Sequence, residues 1–208
     1  MPQVLKDTVR SRIRAAALHA FATHGYAGTT MAGVATEAGM ATANVYRYYR
    51  NKQELFADVV PDETVNALEQ VVGRRLQDFA ALVTRDDITT DVADEMMQFW
   101  LTHRLVSVVI LAGAAGTPHA DVVRRLNGQS VQALVDALPA GAVSAGDLDL
   151  LESIWVNTAR TLARILLHNE DEPGLRATIT SFWQYQTAGL TALLRHLAYS
   201  PKSSSKSR

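Results

Sequence analysis

The helical spacing of its apolar residues is the feature of this sequence that most restricts its fold. Between the glycines and prolines, apolar side chains recur every three or four residues, and no segment alternates in the way an amphipathic strand does. The sequence therefore predicts an all-α protein of about nine helices. A hydrophobic fraction of 48% and a charged fraction of 20% are typical of a chain that buries a core.

Residues that begin or end helices divide the predicted segments. Gly25 and Gly39 end the first two helices, and Pro61 bends or restarts the fourth. Thr30 and Asn51 are predicted N-caps, and Glu54 follows Asn51 at capping-box spacing. The predicted ranges are 7–24, 30–38, 42–49, 51–84 with the interruption at Pro61, 90–113 with a break near His103, 118–138, 146–169 and 174–198.

Several function classes lack the residues they need. The chain has no cysteine, which excludes disulfides and thiolate metal sites. Metalloprotease, phosphate-loop, serine-hydrolase and CxxC motifs are missing, so neither an enzyme nor a metal or other cofactor is expected. The longest apolar stretch, 105–115, is too short to cross a bilayer. The N-terminus does not resemble a secretory signal, and a cytoplasmic location is expected.

Charge is distributed unevenly along the chain. Residues 1–60 contain seven basic and four acidic side chains, whereas residues 61–200 contain ten basic and seventeen acidic ones. A basic first segment on an acidic body is expected of a phosphate-binding head joined to a body that does not bind nucleic acid. Ordinary scatter of surface charge is the alternative interpretation.

Residues 30–49 are predicted to form two short helices joined by a tight turn at Gly39. Such a pair is stable only against a third helix, which the first predicted helix supplies. Helix corners of this kind also occur in proteins that do not bind DNA. The side chains predicted to point inward are Val34, Ala35, Ala38, Met40, Val45 and Tyr49.

The remaining side chains of the second short helix are small or hydrogen-bonding, which suits the major groove of DNA. Asn44 can pair with adenine, and Arg47 with guanine or a phosphate. Tyr46 and Tyr48 can reach phosphates with their hydroxyls, although packing is an alternative role for this aromatic cluster. The predicted outward set is Thr42, Ala43, Asn44, Tyr46, Arg47 and Tyr48.

Two residues outside this helix are further candidates for phosphate contacts. Thr30 places a hydroxyl and free backbone N–H groups at the start of its helix. Lys52 lies in the first turn of the next helix, where the helix dipole disfavours a cation unless an anion is near. A DNA phosphate is predicted to supply that anion.

The segments 25–30, 34–40 and 45–55 resemble, in residue type and spacing, the N-terminal signature of the TetR family of bacterial regulators. The resemblance implies phosphate contacts by Thr30, Tyr46 and Lys52. It also implies base contacts by Thr42, Ala43, Asn44 and Arg47, with Tyr48 at a position often occupied by His or Tyr. Many members have serine at the position of Ala41, so a side-chain cap for the second short helix is lost or passes to Thr42.

The resemblance also implies a C-terminal helical domain that dimerises and binds a small effector. The expected division is a DNA-binding domain at 1–55, an effector-binding and dimerisation domain at 56–200, and a disordered tail at 201–208. A homodimer with two-fold symmetry predicts a palindromic operator with half-sites about 34 Å apart.

Broad apolar stripes on the last two predicted helices are the candidate dimer surface, in a four-helix arrangement about the two-fold axis. One core inside a single chain is the alternative. The residues predicted for the interface are Leu162, Ile165, Phe182, Gln186, Leu190, Leu193 and Leu194.

The predicted effector site mixes aromatic and polar residues, as small-ligand pockets usually do. Its candidate residues are Phe99, Trp100, His103, Trp155 and Thr158. The sequence does not identify the effector. The predicted function is a repressor that the effector releases from DNA; an activator, or an architectural DNA binder without an effector, is the alternative.

Overall fold

The computed structural model describes residues 3–84, 90–112, 114–169 and 171–199, with the backbone alone at 3–5, 77–84 and 90–93. Every regular element in these ranges is a helix, which confirms the all-α prediction. The predicted tail at 201–208 lies outside the described residues. The helices are α1 Gln3–Gly28, α2 Met31–Glu37, α3 Thr42–Tyr46, α4 Lys52–Val59, α5 Asp62–Thr84, α6 Thr90–Thr102, α7 Arg104–Leu111, α8 Val122–Asp136, α9 Ala145–His168 and α10 Glu172–Tyr199.

The described ranges contain ten helices rather than about nine, because the predicted helix 90–113 is two. His103 separates α6 from α7 with non-helical backbone angles (φ −115°, ψ 33°), which places the break where the sequence predicted it. Gly25 has a positive φ of 69°, so the regular turns of α1 end there although helical hydrogen bonding resumes to Gly28. The predicted helix 118–138 begins later, at Val122, after a series of turns.

The helix caps follow the sequence in most details. The Thr30 side chain accepts a hydrogen bond from the N–H of Gly33 at 3.0 Å, and that of Asn51 accepts from Glu54 at 2.8 Å. The predicted capping box is only half formed, because the Glu54 carboxylate accepts from the N–H of Arg50 rather than from that of Asn51. Ala41 begins α3 without a side-chain cap.

Two apolar clusters organise the packing. The larger one is continuous from the N-terminal helices into the body and includes Phe21, Phe56, Val109 and Leu166. The smaller one joins the first half of α9 to the second half of α10 and includes Leu151, Trp155, Leu190, Leu194 and Leu197. The last two helices therefore pack antiparallel.

Phe56 connects the N-terminal helices to the body. Its ring is 2% exposed, and its centroid lies 5.2 Å from that of Phe21 and 5.1 Å from that of Tyr26. On the body side it lies 6.0 Å from His119, whose Nε2 is 3.4 Å from the carbonyl of Val60 between α4 and α5. Phe56 therefore couples the position of α4 to that of the turns before α8, and Val60 joins α4 to α5.

A polar network fixes the end of the α2–α3 unit against α1 and α4. The buried Tyr49 hydroxyl donates to Asp58 at 2.5 Å and accepts from Arg10 Nε at 3.3 Å. Asp58 also pairs with Arg14 at 3.1 Å. The sequence predicted a packing role for Tyr49. In the structure its ring is buried and its hydroxyl also joins Arg10 to Asp58 in this network.

Tyr49→Phe should lower the free energy of unfolding by about 1–3 kcal/mol, because the variant leaves a half-buried carboxylate without a short charged hydrogen bond. Urea unfolding of the variant and the natural chain at pH 8 measures the loss. Tyr46→Phe is the matched control, since the Tyr46 side chain is 52% exposed and its hydroxyl contributes little to stability. Equal losses in the two variants would contradict the role of the network.

The same residue gives an expected pH dependence. Burial raises the pKa of the Tyr49 phenol above its usual value of 10.0, and the hydrogen bond to Asp58 adds to this. Below pH 10 the phenol is neutral in both states and contributes no pH dependence. Above pH 10 the unfolded chain loses this proton first, so stability falls as pH rises, by up to about 1.4 kcal/mol per pH unit. Tyr49→Phe should show a shallower decline between pH 9 and 11.

Candidate nucleic-acid interface and effector cavity

The turn between α2 and α3 has the hydrogen bonds of a Schellman motif. The N–H of Met40 donates to the carbonyl of Ala35 at 2.9 Å, and the N–H of Gly39 to that of Thr36 at 3.0 Å. Gly39 has a φ of 64°, which a residue with a side chain rarely adopts. The two short helices therefore meet at a fixed angle.

Arg12 of α1 stabilises this turn by a hydrogen bond to its backbone. Its Nη2 donates to the carbonyl of Ala38 at 2.6 Å, and a Cβ added to Gly39 would lie 3.2 Å from the same nitrogen. Glycine at 39 thus serves both the backbone conformation and the approach of the guanidinium. Val34, Ala35 and Val45 are buried beside it, as the sequence predicted, and Met40 is half-buried.

The outer surface of α3 carries the side chains predicted to read DNA. Ala43, Asn44, Tyr46 and Arg47 are exposed around the short helix. Thr42 and Tyr48 are half-buried, and Tyr48 packs against the core as well as reaching the surface. Since Val45 and Tyr49 anchor the opposite face, α3 presents a small, hydrogen-bonding surface on a rigid support.

Lys52 has partners that the sequence did not reveal. Its ammonium donates to the carbonyls of Tyr26 at 2.6 Å and Thr29 at 2.9 Å, and lies 4.3 Å from the ring centroid of Tyr26. The partial negative charge of these carbonyls compensates for the unfavourable position of a cation at the start of α4. The position of Lys52 therefore does not require a phosphate. An ammonium has three donors, and one remains for an external acceptor.

The basic residues of the N-terminal segment are largely engaged within the protein. Arg10 and Arg14 pair with Asp58, and Arg12 binds the turn. Their charge therefore stabilises the three-helix unit, and it is Arg47 and Arg50 that are exposed on or beside α3. These three arginines are nevertheless exposed, so they also contribute to the basic surface of this segment.

These helices, with a glycine turn and an exposed second helix, match a known DNA-binding domain. Residues 13–59 fit the family described as bacterial regulatory proteins, tetR family. The N-terminal domain belongs to the TetR family. The matched range ends at the last residue of α4, so all four helices of the TetR domain are those described above.

Comparison of the whole chain also finds regulators. It is 28% identical over 187 residues to the HTH-type transcriptional repressor SCO4008 of Streptomyces coelicolor, covering 83% of this chain and 92% of that protein. Among solved structures, a transcriptional regulator SCO4942 of the same organism is 22% identical, with a TM-score of 0.44 over 93% of this chain and 99% of the other. A TetR-family regulator of Mesorhizobium loti is 18% identical, with a TM-score of 0.37 over 93% and 98%.

The described ranges offer neither a membrane-spanning helix nor a cluster of metal ligands. No helix there is both long and apolar enough to cross a membrane. No group of three or more His, Asp or Glu side chains is placed to hold a metal ion, again within those ranges.

The residues predicted for the dimer interface do not share one surface. The structure places Leu162, Leu190 and Leu194 in the core of the chain itself, where they are at most 3% exposed. Gln186 donates to the hydroxyl of Thr158 within the same chain. The alternative of an intramolecular core therefore describes these side chains, because α7 and α8 of the same chain cover much of the α9 stripe while α5, α6 and α9 contact α10. The predicted interface residues that are half-buried are Ile165, Phe182 and Leu193.

Other apolar side chains of the last two helices are exposed. Six large apolar side chains of the described residues are exposed; one is Tyr46, and the other five lie on α9 or α10. These five are Leu148, Leu150, Val156, Tyr185 and Tyr199. On α10, Tyr185 and Tyr199 share one side of the helix with the exposed small residues Ala188, Gly189 and Ala192, and these residues form the apolar face of α10.

An apolar cavity of about 60 Å³ lies between the six helices from α5 to α10. Trp100, Trp155 and Thr158 line it, which brings together three of the five predicted effector residues. Phe99 and His103 are not among the lining residues. Phe99 instead packs on both Trp100 and His103, with centroid distances of 5.6 and 4.9 Å.

The other wall residues of the cavity, among them Arg75 and Trp183, were not in the predicted set. Arg75 had a signal that could have been read. It lies on the buried stripe of α5, after Leu68 and Val71, at a spacing where an apolar residue is expected. A charged side chain at such a position is unusual enough to mark a site.

Proposed function

We propose that the chain is a ligand-responsive transcriptional repressor that binds a palindromic operator as a homodimer. The observation that carries the proposal is the exposed surface of α3 on its fixed Gly39 turn, in a TetR-family domain. The repressor named among the relatives supports the direction of regulation. Residues 1–55 form the DNA-binding domain in this proposal, and residues 56–200 the effector-binding and dimerisation domain.

The proposed base contacts come from one short helix. Asn44 and Arg47 are exposed neighbours of the small Ala43, so α3 can approach base edges closely. Thr42 completes the reading set at its start. Tyr46 and Tyr48 flank this surface and contact phosphates.

Thr30 is placed for a phosphate contact at the start of α2. Its oxygen accepts from the N–H of Gly33, which leaves the hydroxyl proton to donate to an anion. The remaining donor of Lys52 acts in the same way, so its side chain both joins α1 to α4 and holds the DNA backbone.

The exposed apolar face of α10 supports the dimer. Two copies of this face would cover Tyr185 and Tyr199, and the small residues of α10 permit close helix approach. The face lies at the end of the body where the smaller apolar cluster is found, so the dimer would extend that cluster across the two-fold axis.

Titration against the DNA upstream of the gene, with a scrambled duplex as control and at two salt concentrations, tests the proposal. A preference of about a thousandfold or more for a palindromic segment supports a specific regulator. Weak binding to both duplexes, lost steeply with salt, would instead support an architectural binder. Transcription from the operator with and without protein separates repression from activation.

Arg47→Ala should weaken operator binding by about 1–3 kcal/mol and relax the preference at one base pair, since the exposed guanidinium reads a base or its phosphate. Lys52→Ala should weaken binding to all sequences about equally, and should also lower stability because it removes two hydrogen bonds to the end of α1. Fluorescence anisotropy on operator and scrambled duplexes, with thermal unfolding of each variant, makes both measurements.

Arg124→Ala is the matched control, because this arginine of α8 is 75% exposed and pairs only with Asp121 of the preceding turn among the described residues. Its operator affinity should equal that of the natural chain. If Arg47→Ala binds operator as tightly as Arg124→Ala, α3 does not lie in the groove as proposed.

A further inference from the structure

The three tryptophans of the chain all line the cavity of the body. Trp100 and Trp155 are 2% and 8% exposed, and the indole nitrogen of Trp183 is also buried. In the described part of the chain, none of these three N–H groups donates to a protein acceptor. Buried indole N–H groups normally have a partner, so three orphans around one cavity call for an explanation.

None of the other polar groups of the wall accepts a hydrogen bond from the indoles. The Ser130 hydroxyl donates to the carbonyl of Leu126 at 2.7 Å, and that of Thr158 donates to Ile154 at 2.8 Å while it accepts from Gln186. Arg75 adds a guanidinium, which has donors only. Asn127 adds one carboxamide oxygen, but its amide nitrogen is a further donor, so donors outnumber acceptors in this largely apolar wall.

We propose that the effector is an apolar, aromatic-sized molecule whose oxygen atoms accept hydrogen bonds from these indoles. This rests on the proposed function, in which the body binds an effector. A ligand with carbonyl or carboxylate oxygens would satisfy the orphan N–H groups, whereas a ligand with an ammonium would meet donors with donors. The class is thus defined by an apolar body and acceptor oxygens.

The size of the cavity indicates how such a molecule enters. Ligand sites usually measure several hundred Å³, far more than the present 60 Å³. A cleft of about 480 Å³ lies against the cavity, and Arg75, Met96 and Trp183 line both spaces. Rotation of the flexible Met96 and of Trp183 would join the two, so the ligand would displace this wall as it binds.

Four compounds with one naphthalene body test the proposal by isothermal titration calorimetry on the full chain. They are 2-acetylnaphthalene, 2-naphthoate, 2-ethylnaphthalene and 2-naphthylmethylammonium. The acetyl compound or the carboxylate should bind at least about tenfold more tightly than the ethyl compound, which has the same shape but no acceptor. The ammonium should bind most weakly. The relative affinity of the first two shows whether the oxygen is neutral or charged.

Substitution of each indole then locates the hydrogen bonds. Trp100→Phe, Trp155→Phe and Trp183→Phe each remove an N–H and keep an aromatic ring. At least one should reduce the advantage of the oxygen compounds over the ethyl compound severalfold, a ratio in which general loss of packing cancels. Arg124→Ala, which removes an exposed side chain of α8 that does not line the cavity, should leave the ratio unchanged.

Equal affinity for the acetyl and ethyl compounds would overturn the proposal, since water would then already satisfy the indoles. Tightest binding by the ammonium compound would overturn it as well. The absence of measurable heat with every compound at about 1 mM would do the same. These measurements contain no DNA, so their outcome does not depend on whether the chain binds an operator. Tight binding without release from the operator would contradict only the ligand-responsive part of that proposal.

Discussion

Phe56→Ala is expected to lower the free energy of unfolding by about 3–5 kcal/mol, the usual cost of removing a buried aromatic ring. The ring lies among Phe21, Tyr26 and His119. Its removal would therefore create a new void where the N-terminal helices meet the body. Since whole domains are stable by only about 5–15 kcal/mol, much of the stability would be lost. Urea unfolding followed by circular dichroism at fixed protein concentration measures the change.

Phe56→Leu is the control for this substitution, because it keeps most of the apolar volume and should cost roughly 1 kcal/mol. Its operator affinity should stay close to that of the natural chain, while Phe56→Ala should bind more weakly because α4 no longer fixes the helix pair. A loss below about 1 kcal/mol for Phe56→Ala would mean that the joint is looser than the buried ring indicates.

The double substitution Gly189→Arg with Ala192→Arg should convert the proposed dimer to a monomer. Both residues are exposed on the apolar face of α10, and a Cβ added at Gly189 meets nothing within 4 Å in the single chain. The arginines are therefore accommodated in the monomer, whereas a partner packed on this face would meet four buried cations. Analytical ultracentrifugation measures the mass in solution.

Loss of the dimer should lower operator affinity by about a hundredfold or more, because each chain then holds one half-site without the effective concentration that its partner provides. Gly128→Arg with Gln132→Arg on α8 is the matched control. Both positions are exposed, and Gly128 is equally open to a Cβ. A control variant that becomes monomeric, or an α10 variant that stays dimeric, would show that the interface lies elsewhere.

Interactions between residues close in sequence determined the helix boundaries and the turn between α2 and α3. The glycine at 39, the caps at Thr30 and Asn51 and the break at His103 each act within a few residues, so the sequence predicted the α2–α3 unit and most helix boundaries. The exposed set of Ala43, Asn44, Tyr46 and Arg47 also follows from helical periodicity. Only one face of α3 can meet α1, and Val45 marks it.

Tertiary structure decided what depends on pairs of distant residues. The stripes of α9 and α10 each predicted a buried face, but a stripe does not say whether the same chain or a partner covers it. The structure places Leu162, Leu190 and Leu194 inside the chain and leaves Tyr185 and Tyr199 exposed.

The partners of charged and polar groups were decided in the same way. Lys52 binds carbonyls 23 and 26 residues away, and the three indoles converge on one cavity from three different helices. Hydrogen bonds and cavities of this kind arise from the crossing of helices in space, which the periodicity of one helix does not encode.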